Sequence, residues 1–117
     1  MEYTLQQQEN ILFVYIKGDL LGEATGVELV DAVQNKIKTD QTQLCGIDLS
    51  EVRYMNSSGI SILINVLNLF KQSNGEAMIV SPSPQIKKLL DMMKLNTIFS
   101  IVDSKEEAIN QLRKIII

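Results

Sequence analysis

Two kinds of hydrophobic pattern alternate along the chain. Ile11-Leu12-Phe13-Val14-Tyr15-Ile16 is apolar without a break and rich in β-branched and aromatic residues. Such a run predicts a strand covered on both faces. Leu44 to Leu49 and Glu76 to Val80 predict two more strands, and Thr97 to Val102 a last one. Ahead of them Tyr3-Thr4-Leu5 alternates weakly, and the polar run Gln6-Gln7-Gln8-Glu9-Asn10 should turn it into a hairpin. Lys17-Gly18-Asp19-Leu20-Leu21-Gly22 reads as a loop.

The second pattern has the spacing of an amphipathic helix. From Glu23 to Lys38, the residues Ala24, Val27, Val30, Val33 and Ile37 recur at three and four and predict a buried face. Met55-Asn56-Ser57-Ser58-Gly59 opens a long helical run to about Gln72, which Gly75 ends. Ser81-Pro82-Ser83-Pro84 starts a third helix, since proline suits a first turn. Ile86, Leu89, Leu90 and Met93 form its predicted buried face, with Lys87, Lys88, Asp91 and Lys94 in water. Ser104-Lys105-Glu106-Glu107 is a capping box that opens a fourth helix, continued by Ala108, Leu112 and Ile115 to the end. Alternation of strand and helix from residue 11 onward implies crossover connections. The expected fold class is α/β: a mostly parallel five-stranded sheet with an N-terminal antiparallel hairpin strand and four helices, as one domain over residues 1–117.

Composition narrows the functions open to such a fold. A chain of 117 residues suits one domain. Its net charge of −3 gives no basic field for nucleic acid or anionic lipid. There is no histidine, which removes the commonest general base and every Ser/His or Cys/His nucleophile. Cys45 stands alone, so no disulfide within the chain and no thiolate zinc site can form, and it reads as a small core hydrophobe. Met1-Glu2-Tyr3-Thr4-Leu5 has neither the basic nor the apolar region of a leader. Apolar runs are far shorter than the ~20 residues of a spanning helix. A cytoplasmic protein without membrane insertion is expected.

The long central helix carries the most unusual pattern. At about 100° per residue, Ser61, Asn65, Asn68 and Gln72 fall on a narrow polar stripe, while Ile60, Ile62, Leu63, Ile64, Val66, Leu67, Leu69 and Phe70 cover over half the circumference. A helix lying on a sheet needs an apolar arc of only about 100°. Neighbouring helices should cover the excess; otherwise its outer edge is a partner surface. At its head stands Asn56-Ser57-Ser58-Gly59. Asn and Ser are favoured N-caps because their oxygens take free first-turn N–H groups. One cap suffices, so a serine is spare. A helix N-terminus lies in a positive potential, a good place to carry a phosphoryl group.

Catalysis is not expected. Asp19, Asp48 and Asp103 read as strand-end carboxylates that could hold magnesium, as in phospho-aspartate receivers. Receivers need an acidic pair after the first parallel strand, and Gly18-Asp19-Leu20 offers one carboxylate, so turn and capping roles suit these residues better. No Walker loop, no Rossmann glycine fingerprint and no acid–base constellation is present. No cofactor and no metal is expected.

The stretch Ile47-Asp48-Leu49-Ser50-Glu51-Val52-Arg53-Tyr54-Met55-Asn56-Ser57-Ser58-Gly59-Ile60 resembles the STAS domain family, and more narrowly the bacterial anti-sigma factor antagonists. The family pattern there is roughly Asp-Leu-Ser, a short spacer, an aromatic, Met or Ile, then Asp-Ser-Ser/Thr-Gly-Leu. Gly18-Asp19-Leu20 is similar to the family's loop after the second strand, and Gly75 to Leu95 to its later strand and helix. The resemblance implies a protein-binding switch. Its partner would be an anti-sigma factor that is also a serine kinase, phosphorylating Ser57, with Ser58 as second choice. A metal-dependent serine phosphatase would restore the binding form. Asp19, Leu20, Met55, Asn56, Ser57, Ser58, Gly59, Ile60 and Ser61 would form the partner-binding set, with Ile60 supplying apolar contact. Asn56 stands where the family has an acid, and Leu21 where it often has Asp. The other use of this fold would be as a subunit of a lipid-trafficking ABC transporter, docked on its ATPase.

Overall fold

A computed structural model of the protein describes residues 1–8, 10–22 and 24–115. Five strands and four α-helices appear among them: β1 Glu2–Gln8, β2 Ile11–Leu20, α1 Ala24–Asp40, β3 Leu44–Met55, α2 Ser57–Gln72, β4 Glu76–Val80, α3 Pro84–Met92, β5 Ser100–Val102 and α4 Lys105–Ile115. The strands lie in the order β1-β2-β3-β4-β5. β1 is antiparallel to β2 and every other pair is parallel. The expected fold class is therefore present, with its hairpin and crossover connections.

The continuous apolar runs form the middle of the sheet because helices cover both faces. On one face, side chains of α1, α2 and α3 share a core with Leu12, Val14, Ile16, Cys45, Ile47 and Leu49. On the other, Ala108 and Leu112 of α4 lie against Ile11, Phe13, Leu44, Met78, Val80 and Val102. Lys105 lays its ammonium over the Phe13 ring, 4.6 Å from the centroid. Cys45 is wholly buried, which pushes its thiol up well beyond the ordinary range. No helix among the described residues is long and apolar enough to cross a membrane.

Several local expectations change. The glutamine run does not turn the chain: Gln6, Gln7 and Gln8 pair with Phe13, Leu12 and Ile11. Strand pairing uses the backbone, and at a sheet edge polar side chains keep access to water. Glu9 and Glu23, expected in that turn and at the first helix start, lie outside the described residues, as does the end of the last helix beyond Ile115. The expected loop after β2 begins later, because pairing with β3 carries the strand to Leu20 through a shift in register beside Gly18, whose φ is +96°. The last strand shrinks to Ser100–Val102, since Lys94 adopts a left-handed conformation and Leu95–Thr97 coils into a 3₁₀ turn.

Two helix faces also differ. α1 buries Gly26, Leu29 and Val33, while Ala24 is exposed and Val27 is 60% exposed. The cause is Gly26: a methyl group there would overlap the Ile62 side chain, so the missing Cβ lets α1 approach α2. In α3, Met93 caps the end of the helix and is 47% exposed, leaving Ile86 and Leu90 as the buried pair. The apolar excess of α2 is covered, as neighbouring packing required. Ile60, Ile62, Leu63, Val66, Leu67 and Phe70 are buried, and Ser61, Asn65, Asn68 and Gln72 face water.

Candidate functional site

β3 outruns its neighbour β4, and this places the head of α2. Pairing between β3 and β4 ends at Asp48↔Val80, whereas β3 follows β2 as far as Leu20↔Met55. Backbone carbonyls on the unpaired side of β3 still need donors. Ser83 supplies them: its N–H donates to the Leu49 carbonyl at 3.3 Å and its hydroxyl to the Val52 carbonyl at 2.6 Å. The same Ser83 Oγ accepts from the Ile86 N–H at 3.4 Å and caps α3.

α2 starts from the tip of this projecting ribbon. Asn56 is its cap: Oδ1 accepts from the Gly59 N–H at 2.9 Å, and the Asn56 carbonyl accepts from the Ile60 N–H at 2.9 Å. The Asn56 N–H donates to the Leu20 carbonyl at 3.3 Å, tying the cap to the end of β2. Gly59 completes the junction, because any Cβ there would overlap the Leu20 carbonyl oxygen. Gly22, with φ at +77°, lies against the Ser58 side chain and has no room for a side chain of its own.

With Asn56 as cap, Ser57 and Ser58 are not needed for that role. Both are exposed, and neither hydroxyl nor backbone N–H bonds to another described residue. Ser61 turns its hydroxyl back onto the Ser57 carbonyl at 3.0 Å. The arrangement is an exposed hydroxyl beside open amides at the positive end of a helix of 16 residues. Such a head can accept an anionic group without displacing an existing contact.

The surrounding surface is mixed. Arg53 Nε lies 3.4 Å from Asp19 Oδ1 in an exposed ion pair. Pairs of this kind contribute about 0–1 kcal/mol. Leu21 and Tyr54 are exposed by 38% and 54% at the same end of the sheet. A shallow hollow of about 420 Å³, lined by Met1, Glu2, Lys17, Gly18, Asp19, Leu21 and Arg53, lies along this flank.

The expected partner-binding set divides by depth. Asp19, Asn56, Ser57, Ser58 and Ser61 reach the surface. Leu20, Met55 and Ile60 are exposed by 0%, 1% and 6%, and Gly59 is buried. Ile60, expected to offer apolar contact, instead directs its side chain into the core shared by the sheet, α1 and α2, which leaves little of it at the surface. Tyr54 stands outside that set, although an aromatic next to inward-facing Met55 on a strand must point the other way, and it is exposed.

The aspartates have separate local roles. Asp48 is not at a strand end, because β3 continues past it; its Oδ1 accepts from the Ser50 N–H at 2.9 Å and the Ser50 hydroxyl at 2.6 Å. Asp103 pairs with Lys87 at 3.5 Å, and Asp19 with Arg53. Among the described residues, no group of three or more Cys, Asp or Glu side chains assembles to hold a metal ion.

Comparison with known proteins gives concordant findings. The sequence signature of the STAS domain matches residues 2–108. The anti-sigma F factor antagonist of Paenibacillus polymyxa is 24% identical over 115 residues, covering 96% of this chain and 95% of that one. The crystal structure of TM1081 from Thermotoga maritima superposes with a TM-score of 0.83 at 19% identity, covering 95% of this chain and 94% of that one. SpoIIAA of Bacillus has been solved in its phosphorylated form, which superposes with a TM-score of 0.71 at 17% identity over 94% of this chain and 98% of that one.

Proposed function

Because the chain belongs to the STAS domain family, we propose that it is an anti-sigma factor antagonist. Unmodified, it binds an anti-sigma factor through the head of α2, and phosphorylation of Ser57 by that same serine-kinase partner releases it. A metal-dependent serine phosphatase returns it to the binding form. ATP belongs to the kinase, and this chain performs no catalysis. Such partners set its place of action in the cytoplasm.

One observation carries the reading: Asn56 caps α2, which leaves the Ser57 hydroxyl exposed and unbonded at the helix N-terminus. Ser58 is the poorer acceptor because its side chain lies against Gly22. Leu21 and Tyr54 supply the apolar contact that buried Ile60 does not. A neutral hydroxyl within such an interface costs little. A phosphate dianion adds about −1.5 to −2 charges. Burying it against an unadapted partner costs several kcal/mol. A loss of about 2.7 kcal/mol already weakens binding a hundredfold. In the free protein the helix dipole favours the phosphate by about 0.3–1 kcal/mol, or ~2 when partly buried. Local electrostatics therefore switches binding without refolding.

Calorimetry with the anti-sigma factor tests this. Ser57→Ala should bind as the parent does and stay bound under phosphorylating conditions, and the phosphorylated parent should bind at least a hundredfold more weakly. Abolition of binding by Ser57→Ala in a folded protein would make the hydroxyl a direct contact and overturn the switch. Mass spectrometry placing the phosphate on Ser58 would move the acceptor by one residue. Affinity capture of a transporter ATPase instead of a sigma regulator would replace the reading with the ABC-transporter one.

A further inference from the structure

The two edges of the sheet are built differently. β5 forms one edge with three residues, bounded by the 3₁₀ turn and by Asp103. β1 forms the other with seven, paired to β2 in unbroken register from Glu2↔Lys17 to Gln8↔Ile11. No described strand lies outside it. Proteins usually guard a long edge strand with proline, lysine or a bulge, because its outward N–H and C=O groups invite another strand. β1, with sequence Glu-Tyr-Thr-Leu-Gln-Gln-Gln, has none of these guards, and its one charge is Glu2 at the far end.

We propose that β1 pairs antiparallel with β1 of a second copy of this chain, joining two sheets across a two-fold axis at Leu5. The symmetry sets the register: Leu5 meets Leu5, Thr4 meets Gln6, Tyr3 meets Gln7, and Glu2 meets Gln8 of the second copy. Charge selects this arrangement over its competitor. Antiparallel pairing sends the two Glu2 carboxylates to opposite ends and sets each against a neutral glutamine, whereas parallel pairing sets Glu2 against Glu2. Half-buried Tyr3 and Leu5 already pack on the larger core from one side. The second copy covers part of what they still expose. A single strand pair falls short of the ~1,200 Å² of a standard stable interface, so the dimer is weak and concentration-dependent. Since β2 runs antiparallel to β1, the two α2 heads lie at opposite ends of the joined sheet, and both sites stay open.

Sedimentation equilibrium of the full chain from micromolar to millimolar concentration tests the pairing. The mass should rise from one chain toward two. Thr4 and Gln6 are exposed, so substitution there spares the core, which circular dichroism checks. Thr4→Lys with Gln6→Lys sets lysine against lysine twice across the axis and should raise the dissociation constant at least tenfold. Thr4→Glu with Gln6→Lys sets opposite charges in the same two places and should restore or tighten the dimer. A single-chain mass at every concentration overturns the proposal. So does a double-lysine variant that associates as the parent does, or a charge-paired variant that stays monomeric.

Discussion

The heads of α2 and α3 start from similar materials. Each follows a strand, each has a polar cap one residue before the helix, and each has serines around it. At α3 those serines are consumed. Ser83 caps the helix and donates to Val52 of β3, and the Ser81 hydroxyl donates to the Asp103 carbonyl at 2.9 Å. At α2 the cap is an asparagine, and the two serines behind it carry no structural bond through their hydroxyls. The difference teaches that a helix N-terminus becomes available to a ligand or a modifying enzyme when another residue satisfies the fold's demands. Serine content alone does not separate the two heads; what each hydroxyl already does separates them.

Substitutions can break this contrast or sharpen it. The largest effect should come from Gly59→Val, which forces carbon into the Leu20 carbonyl oxygen. Overpacking of this kind costs about 1–3 kcal/mol or more, and the upper end is expected here because the obstacle is backbone; urea denaturation measures it. A valine variant as stable as the parent would mean that α2 is not seated against β2. Next comes Ser83→Ala, which removes a cap and leaves the Val52 carbonyl without its donor. Loss of a buried partner costs about 1–3 kcal/mol, read as a lower melting temperature. Asn56→Ala should cost about 1 kcal/mol, the usual worth of a cap, read as a lower melting temperature; a smaller loss would mean that the Ser57 hydroxyl takes over the cap and is no longer free. Ser57→Ala should change stability by less than about 0.5 kcal/mol, as surface substitutions do. If calorimetric unfolding gave Ser57→Ala the same cost as Ser83→Ala, the two heads would be equivalent and the contrast would fail.

Much of the site was legible because its signals are local. The Asn-Ser-Ser-Gly run marks a helix start, and Asn56 does cap it. The polar stripe Ser61, Asn65, Asn68 and Gln72 marks the face in water. What escaped has a shared physical origin. Ser50 to Arg53 is too polar to announce a strand, yet β3 crosses it because β2 offers a continuous pairing edge on one side and Ser83 fills part of the other. Val27 has the spacing of a core residue but lies in water, because close approach of α1 to α2 at Gly26 rotates the helix. Ile60 has the look of a contact residue and is a core residue, because Gly59 beside it lets the start of α2 sit directly against Leu20.

Periodicity and capping chemistry depend on residues a few positions apart, so the chain by itself determined the order of strands and helices, the crossover fold class and the start of α2. Accessibility depends on residues distant in sequence. Leu20, Gly22 and Gly26 come from an earlier part of the chain, and their packing on α2 decided which of the two exposed serines has a close neighbour, which apolar side chains are hidden and where the surface lies. A hydroxyl is defined by its residue, whereas its freedom to react is defined by the neighbours that folding brings to it.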